Sequence, residues 1–501
     1  KKTPKLELYI KVISLSKEKQ KENTLTYKAT YIVAFWKLVE YTGLILFLAL
    51  IPRSMTPELY GDFALILSIL GLLILASTLG GQQTFVRFIP EFKADLNHRS
   101  TSALFTQFFM LRLFLSLFII GVTLGLLTHL KPEFDQNVAI GLSLAYFCGA
   151  VSLSCMHLFY GLNKIGLYLL HGSSNRILLV FLLLFYWVDV DLGKAAISLA
   201  IVEVFLMVFL LIFAWKYLAP VAAFKERSAL YSHLKYGMSF FISNLLMIVV
   251  WRSGEIMIAL LNGESEQVAF FNLSNSIFLA LYALLVLVAS VLLPSINALH
   301  VAGEHEKRDR WLGDTLKYLT IFTFIALLGI SAVGDPLFAL LLGEEFSQVT
   351  ENLQLISITL IPLNLVRLGL AAALIHSKLR EYFLVASITL LSFLIAAGLL
   401  IPAFGAMGAS GASLISGFVA ATLSYWCFNL KHITVLAEFN KIVIIGALCL
   451  SIVSFSGLPH VYTGIILSVV FVGSMFSFGI IRINDLKSLL SGKDRKPTSP
   501  L

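Results

Sequence analysis

Eight ionisable side chains fall within stretches that are otherwise hydrocarbon: Lys37, Arg112, Arg176, Arg252 and Arg367, against Glu40, Glu203 and Glu255. A charge near the centre of a bilayer costs about 2.5–3.5 kcal/mol on insertion scales. Such a residue therefore faces a water-filled cavity, a partner or the membrane edge. Two of the acids carry a base at fixed spacing. Residues 36–40 read WKLVE and residues 251–255 read WRSGE, so Trp, a base and Glu recur 215 positions on. Lys37 with Glu40, and Arg252 with Glu255, are each spaced i,i+3 and can share one helix face. Two readings stay open. Each pair is an intrahelical neutralisation that lowers insertion cost, or the same charged device faces one cavity from two lobes.

The remaining members differ in context. Arg176 follows Ser173, Ser174 and Asn175, a polar break that is hard to reconcile with a lipid-facing surface. Arg112 and Arg367 either line the cavity or snorkel to the cytoplasmic interface. Glu203 has no base a turn away, which leaves a proton or sodium site and an interhelical hydrogen bond both open. Other motifs carry no chemistry. Asp189-Val-Asp191 sits in a short turn, and GEHEKRDR at 303–310 is a loop rich in both signs. GAMGASG at 405–411 lacks the spacing of a dinucleotide fingerprint and instead suits close helix packing. No Walker A sequence is present, and Cys148, Cys155, Cys427 and Cys449 all lie in apolar segments without a CxxC. The expectation is no metal, no cofactor and no catalytic residue.

The elements that must position these charges follow from composition. The chain of 501 residues is 58% hydrophobic and 13% charged, with a mean hydropathy of +0.88. A soluble protein of this length cannot hide that much apolar surface, whereas a membrane helix needs about 20 apolar residues. Fourteen spans are predicted: 29–51, 62–82, 103–127, 138–160, 166–188, 195–215, 236–261, 268–293, 314–334, 353–375, 381–402, 407–430, 441–457 and 461–481. The span at 166–188 is interrupted by HGSSNR, and 441–457 is short. With the N-terminus in the cytoplasm, 29 of the 37 Lys and Arg fall on that side. The formal charge of +8 thus reports orientation rather than a nucleic-acid surface. Both termini are predicted to be cytoplasmic, the first 28 residues forming a basic tail, part of it suited to the membrane surface.

Further matches accompany the repeated Trp-base-Glu. LGKAAISL at 192–199 pairs with MGASGASL at 407–414 at the same offset, KIGLY at 164–168 with KLREY at 378–382, and PELYGDFAL at 57–65 with SEQVAFFNL at 265–273. Six spans separate equivalent points, which implies a parallel repeat about an axis along the membrane normal. The fold class expected is an all-α polytopic membrane protein with about 14 transmembrane helices. Two six-helix lobes with pseudo-twofold symmetry occupy residues 29–215 and 236–430, joined by a linker at 216–235. Two additional helices at 441–481 and a basic tail at 482–501 complete the chain. A two-fold relation would also let Lys37 face Glu255 and Arg252 face Glu40 as reciprocal ion pairs.

TPELYGDFALILSILGLL after the first span, GEIMIALLNGESEQVAFFNLSNSIF, LLPSIN at 292–297 and LLGEEFSQVTENLQLISI resemble the polysaccharide transporter family. These are O-antigen (Wzx-type) flippases of the multidrug/oligosaccharidyl-lipid/polysaccharide superfamily. The resemblance runs from about residue 28 to about 480. It implies a two-lobed bundle in the bacterial inner membrane that moves an undecaprenyl-diphosphate-linked oligosaccharide from the cytoplasmic to the periplasmic face. The five bases then become candidate diphosphate ligands, because guanidinium groups grip phosphate oxygens in pairs. Glu40, Glu203 and Glu255 become candidates for gating or for coupling to H+ or Na+. Polysaccharide polymerase or ligase machinery would be a partner. Two alternatives stand beside this one. A cation-coupled drug antiporter would favour an acidic cavity, and here bases outnumber acids five to three. A membrane polymerase or ligase would generally carry a large external loop, and no loop here is long enough.

The alternating loop charge generates a topology. Reporter fusions after residues 55, 132, 190, 264, 345 and 404 are expected to lie outside, and those after 95, 226, 306 and 436 inside. A fusion after 264 that reports cytoplasm would overturn both the topology and the pairing of the repeats.

Overall fold

A computed structural model describes residues 31–94, 98–130, 135–186, 190–219, 227–301, 303–375, 378–428, 430, 436–455 and 460–481. The basic tails, residues 220–226 of the linker and Asp189 lie outside them. Among the described residues the chain is helical, without a strand. Seven helices precede the linker: α1 (residues 31–50), α2 (Pro57–Ala76), α3 (Gly81–Ala94), α4 (His98–Leu130), α5 (Gln136–Gly161), α6 (Ile165–Tyr186) and α7 (Leu192–Ala214). Nine follow it. They are α8 (Arg227–Arg252), α9 (Gly254–Leu261), α10 (Ser265–Val301), α11 (His305–Leu342), α12 (Gln348–Ile358), α13 (Leu360–Ile375), α14 (Leu379–Cys427), α15 (Leu436–Phe455) and α16 (His460–Ser477). Over the described residues, each predicted span falls mainly on a helix or on a pair of helices separated by a short break. By length and composition ten helices can cross a membrane, or eleven with the bent α8 taken as one. The protein is an all-α, multi-pass membrane protein.

Contacts divide the chain into two compact units, Lys1–Leu245 and Leu246–Leu501, with the boundary inside α8. In the first unit, α5 packs along α7, and a side chain at Gly141 would run into the Ala196 backbone. Small residues let membrane helices approach in this way, where no hydrophobic drive separates helix from lipid. The outer surface is apolar as hydrocarbon demands: Phe35 and Leu38 of α1 and Phe114 and Phe118 of α4 are exposed. HGSSNR does not interrupt α6. Ser173 and Asn175 send their side chains to other helices, so they do not compete with the backbone of their own.

In the second unit the breaks have covalent causes. Pro362 has no N–H to offer the carbonyl of Ile358, and the helix is cut at Thr359 between α12 and α13. Gly254 starts α9 against the ring of Phe271, where a β-carbon would collide with it. At Gly405, φ is 52° and ψ is −123°, and α14 folds there into two arms. The arms touch closely enough that a side chain on Gly408 would meet the Leu400 carbonyl. GAMGASG is thus a packing sequence, as its small residues suggest, and α14 carries two of the predicted spans. The amide of Ala406 donates to Oε1 of Gln267 at 3.0 Å, so α10 holds the fold-back. Helices α15 and α16 lie on α11, with Gly446 against Phe324 and Phe324 against Phe471.

A β-carbon at Gly405 would sit 2.5 Å from Gln267 Oε1 in a backbone conformation that L residues avoid. Gly405→Ala is expected to lower stability by about 1–3 kcal/mol. Thermal unfolding in detergent should show the loss, while Gly398→Ala, with nothing within 4 Å of its added carbon, should melt like the wild type.

Candidate functional site

In the first unit, Lys37 Nζ donates to Glu40 Oε2 at 2.7 Å, both side chains half-buried. The helical period places them opposite Phe35 and Leu38, on the side of α1 that also carries Trp36 and Gly43. Helix α6 covers that side. Ser173 Oγ donates to the Trp36 carbonyl at 2.9 Å, and a β-carbon on Gly43 would lie 3.6 Å from Cβ of Arg176. Arg176 is half-buried at this seam.

At the middle of α7, about three turns from either end, Glu203 is 3% exposed. Its Oε1 accepts from Asn175 Nδ2 at 2.7 Å, and its Oε2 lies 2.9 Å from His171 Nε2. Gly149 of α5 makes room, since a β-carbon there would fall 3.4 Å from Glu203 Oε2. The interhelical hydrogen bond left open by the sequence is therefore formed, and it comes with a histidine the sequence reading passed over. His171, Asn175 and Arg176 all lie within HGSSNR; polar residues at i, i+4 and i+5 of an apolar span were the available signal.

Arg112 is placed apart from that seam. It is 2% exposed, and its Nε donates to the Ser77 carbonyl at 3.0 Å. Its Nη1 donates to Ser154 Oγ at 2.8 Å and its Nη2 to the Thr78 carbonyl at 3.0 Å, with His157 Nδ1 3.4 Å away. Those carbonyls belong to the break between α2 and α3, where Leu79 and Gly80 both have positive φ. The backbone of Gly80 presses on that of Gly237 in α8, too closely for a side chain on either. The planar fork of Arg112 thus satisfies a helix end that hydrocarbon could not. Its donors point to protein oxygens inside the unit rather than to the membrane edge.

In the second unit the repeated motif takes a different form. Helix α8 ends at Arg252, Ser253 (φ −96°, ψ 0°) interrupts, and α9 begins at Gly254. Among the described residues no ion pair joins Arg252 to Glu255. Glu255, 3% exposed, turns to α10 instead, where its Oε1 accepts from Asn272 at 3.0 Å and from Asn275 at 3.3 Å. Asn275 also donates to the Trp251 carbonyl at 3.2 Å. Arg252 is left exposed. The shared helix face expected from i,i+3 spacing holds for Lys37 and Glu40 and fails here, because the helix breaks between the two charges. Further along the same stripe of α10, the guanidinium of Arg367 lies 4.6 Å from the ring centre of Tyr282. Among the described residues its buried Nε has no hydrogen-bond partner. Asn272, Asn275 and Tyr282 were missed in sequence. Two asparagines three apart in an apolar span are the trace they leave.

Residues 27–300 match the model of a family described as "Polysaccharide biosynthesis protein". No curated protein sequence matches the chain. Among solved structures, the lipid II flippase MurJ in an inward closed conformation superposes with a TM-score of 0.67 at 16% identity, covering 91% of this chain and 99% of that one. An inward-facing multidrug resistance MATE family transporter of the MOP superfamily gives 0.65 at 13% identity, covering 80% and 95%. A MOP superfamily transporter from Pyrococcus furiosus gives 0.51 at 12%, covering 80% and 92%. At these identities the likeness is one of fold.

Arg112→Lys and Arg112→Ala are both expected to destabilise the protein. Neither replacement reaches Ser77 and Thr78 together, and an unmet buried carbonyl costs about 1–3 kcal/mol. Heating the membranes before solubilisation and measuring the surviving monodisperse fraction reads this out. Survival equal to wild type would remove the clamp from the account.

Proposed function

We propose that this chain, which belongs to the polysaccharide biosynthesis protein family, is a flippase for an undecaprenyl-diphosphate-linked oligosaccharide. It carries the repeat unit of an O-antigen or other surface polysaccharide from the cytoplasmic to the outer face of the bacterial inner membrane. The observation that carries this reading is Arg252. An Arg at a break in a membrane-spanning segment, exposed while the acid of its own motif is occupied by two asparagines, is a cation held ready for an anion. A guanidinium suits a diphosphate because its donors match two phosphate oxygens at once.

Arg176 and Lys37 are the candidate phosphate ligands of the first unit, and Arg367 and Arg252 those of the second; Arg112 is left out because its donors are engaged with protein oxygens. Glu40 and Glu255 hold the gating role. A carboxylate that neutralises Lys37 in the empty protein competes with the incoming phosphate, which gives the differential affinity that a conformational change requires. The fold shared with lipid and drug transporters suits alternating access, with both termini in the cytoplasm, and leaves the substrate to be decided by the charges.

The test is deletion of the gene followed by analysis of lipid-linked intermediates. Undecaprenyl-diphosphate oligosaccharide accumulating on the cytoplasmic face is the expected result. Unchanged intermediates with loss of drug resistance would replace the flippase by the antiporter. In complementation, Arg252→Ala and Arg176→Ala are expected to lower export at normal membrane levels, with Arg→Lys at either site retaining part of it. Equal losses from Ala and Lys would point to packing.

A further inference from the structure

We propose that His171 and Glu203 form a proton-binding site whose occupancy controls anion binding at the Lys37–Arg176 seam. The inference rests on the diphosphate reading for its second half only. Both oxygens of Glu203 have nitrogen partners: Asn175 Nδ2 donates to Oε1 at 2.7 Å, and His171 Nε2 stands 2.9 Å from Oε2. A carboxylate so held is an acceptor, and the hydrogen on Nε2 is fixed by it. The next proton therefore goes to Nδ1 of His171. Uptake converts a neutral imidazole beside a carboxylate, net charge −1, into an imidazolium–carboxylate pair of net charge zero. The His171 side chain is 16% exposed against 4% for Glu203, so the ring is the reachable member. A metal ion is poorly served, because the carboxylate oxygens are already occupied. Among the described residues no three His, Cys, Asp or Glu side chains come together.

The surroundings make the pair's charge matter. Helix α7 brings no other ionisable group between residues 195 and 214. Helix α5 brings the buried thiol of Cys148 and the notch of Gly149, into which α2 places Ile74. Helix α6 itself carries Arg176, one residue beyond Asn175, and α1 brings Lys37, Glu40 and Tyr41 past the Ser173–Trp36 hydrogen bond. Without the proton, the buried negative charge draws on Arg176 and Lys37 and opposes an anion there. With the proton, that opposition ends. By linkage, anion binding must in turn favour proton uptake.

Calorimetry of the purified full chain with farnesyl diphosphate, in buffers of different ionisation enthalpy, tests this directly. Wild type is expected to bind with uptake of protons in excess of His171→Gln. Its affinity should fall roughly five- to tenfold between pH 5 and 8, with a flatter profile in His171→Gln and in Glu203→Gln. Equal proton uptake and equal pH profiles in wild type and both variants would overturn the site while leaving diphosphate binding intact. If farnesyl diphosphate does not bind the wild type, the diphosphate reading fails. The proton site is then decided by 15N resonances of the histidine rings. A ring that titrates between pH 5 and 8 and is lost in His171→Gln sustains it, and the lack of such a ring removes it.

Discussion

A carboxylate buried among apolar helices and held by the carboxamide of a neighbouring helix anchors each unit. Glu203 receives Asn175, and Glu255 receives Asn272 and Asn275. In hydrocarbon no water substitutes for a missing donor, so the partner must come from another helix and must arrive at hydrogen-bonding distance. That requirement reaches back into the backbone. Gly149 is a glycine because Glu203 and Ile74 fill the space beside it, and Gly254 because the ring of Phe271 does.

The same logic explains where the helices stop. A break in a membrane helix exposes carbonyls and amides that have no solvent to turn to. At the α2–α3 break the carbonyls of Ser77 and Thr78 receive Arg112, and at the fold-back in α14 the amide of Ala406 finds Gln267. The Trp36 and Trp251 carbonyls, at equivalent points of the repeat, each accept from a side chain of another helix, Ser173 in one case and Asn275 in the other. The repeated tripartite motif thus keeps its backbone anchor while its charges diverge. In α1 the base and acid neutralise each other. After the α8 break the acid accepts from amides, and the base is exposed and interacts with that acid only through the field, without an ion pair among the described residues.

On the proposed reading, this divergence bears on how the chain would hold an anion. A base paired in the empty state binds an anion by exchange, giving up its carboxylate as the phosphate arrives. A base already free binds by simple attraction. The chain has a paired base in Lys37 and, in Arg252, a base without an ion pair among the described residues, along with Arg367 against the ring of Tyr282 as a third arrangement.

Composition and periodicity alone determined that the chain is a multi-pass helical protein, roughly where its apolar helices fall, and which eight side chains are out of place in hydrocarbon. Those are statements about transfer from water to lipid, and each is local to about 20 residues. The offset between WKLVE and WRSGE also belongs to the sequence, as does the family likeness. What the tertiary structure decided is which charge meets which partner. Arg112 and Arg252 are both arginines in apolar runs, yet one is locked to helix-end carbonyls and the other is exposed. Lys37 with Glu40 and Arg252 with Glu255 share a spacing, but a single residue, Ser253, takes the second pair off a common helix face. His171 carried no sequence signal beyond its polarity, because its significance depends on Glu203, 32 residues away on another helix. The cost of a buried charge is fixed by residue type, while its compensation depends on neighbours that only folding brings within 3 Å.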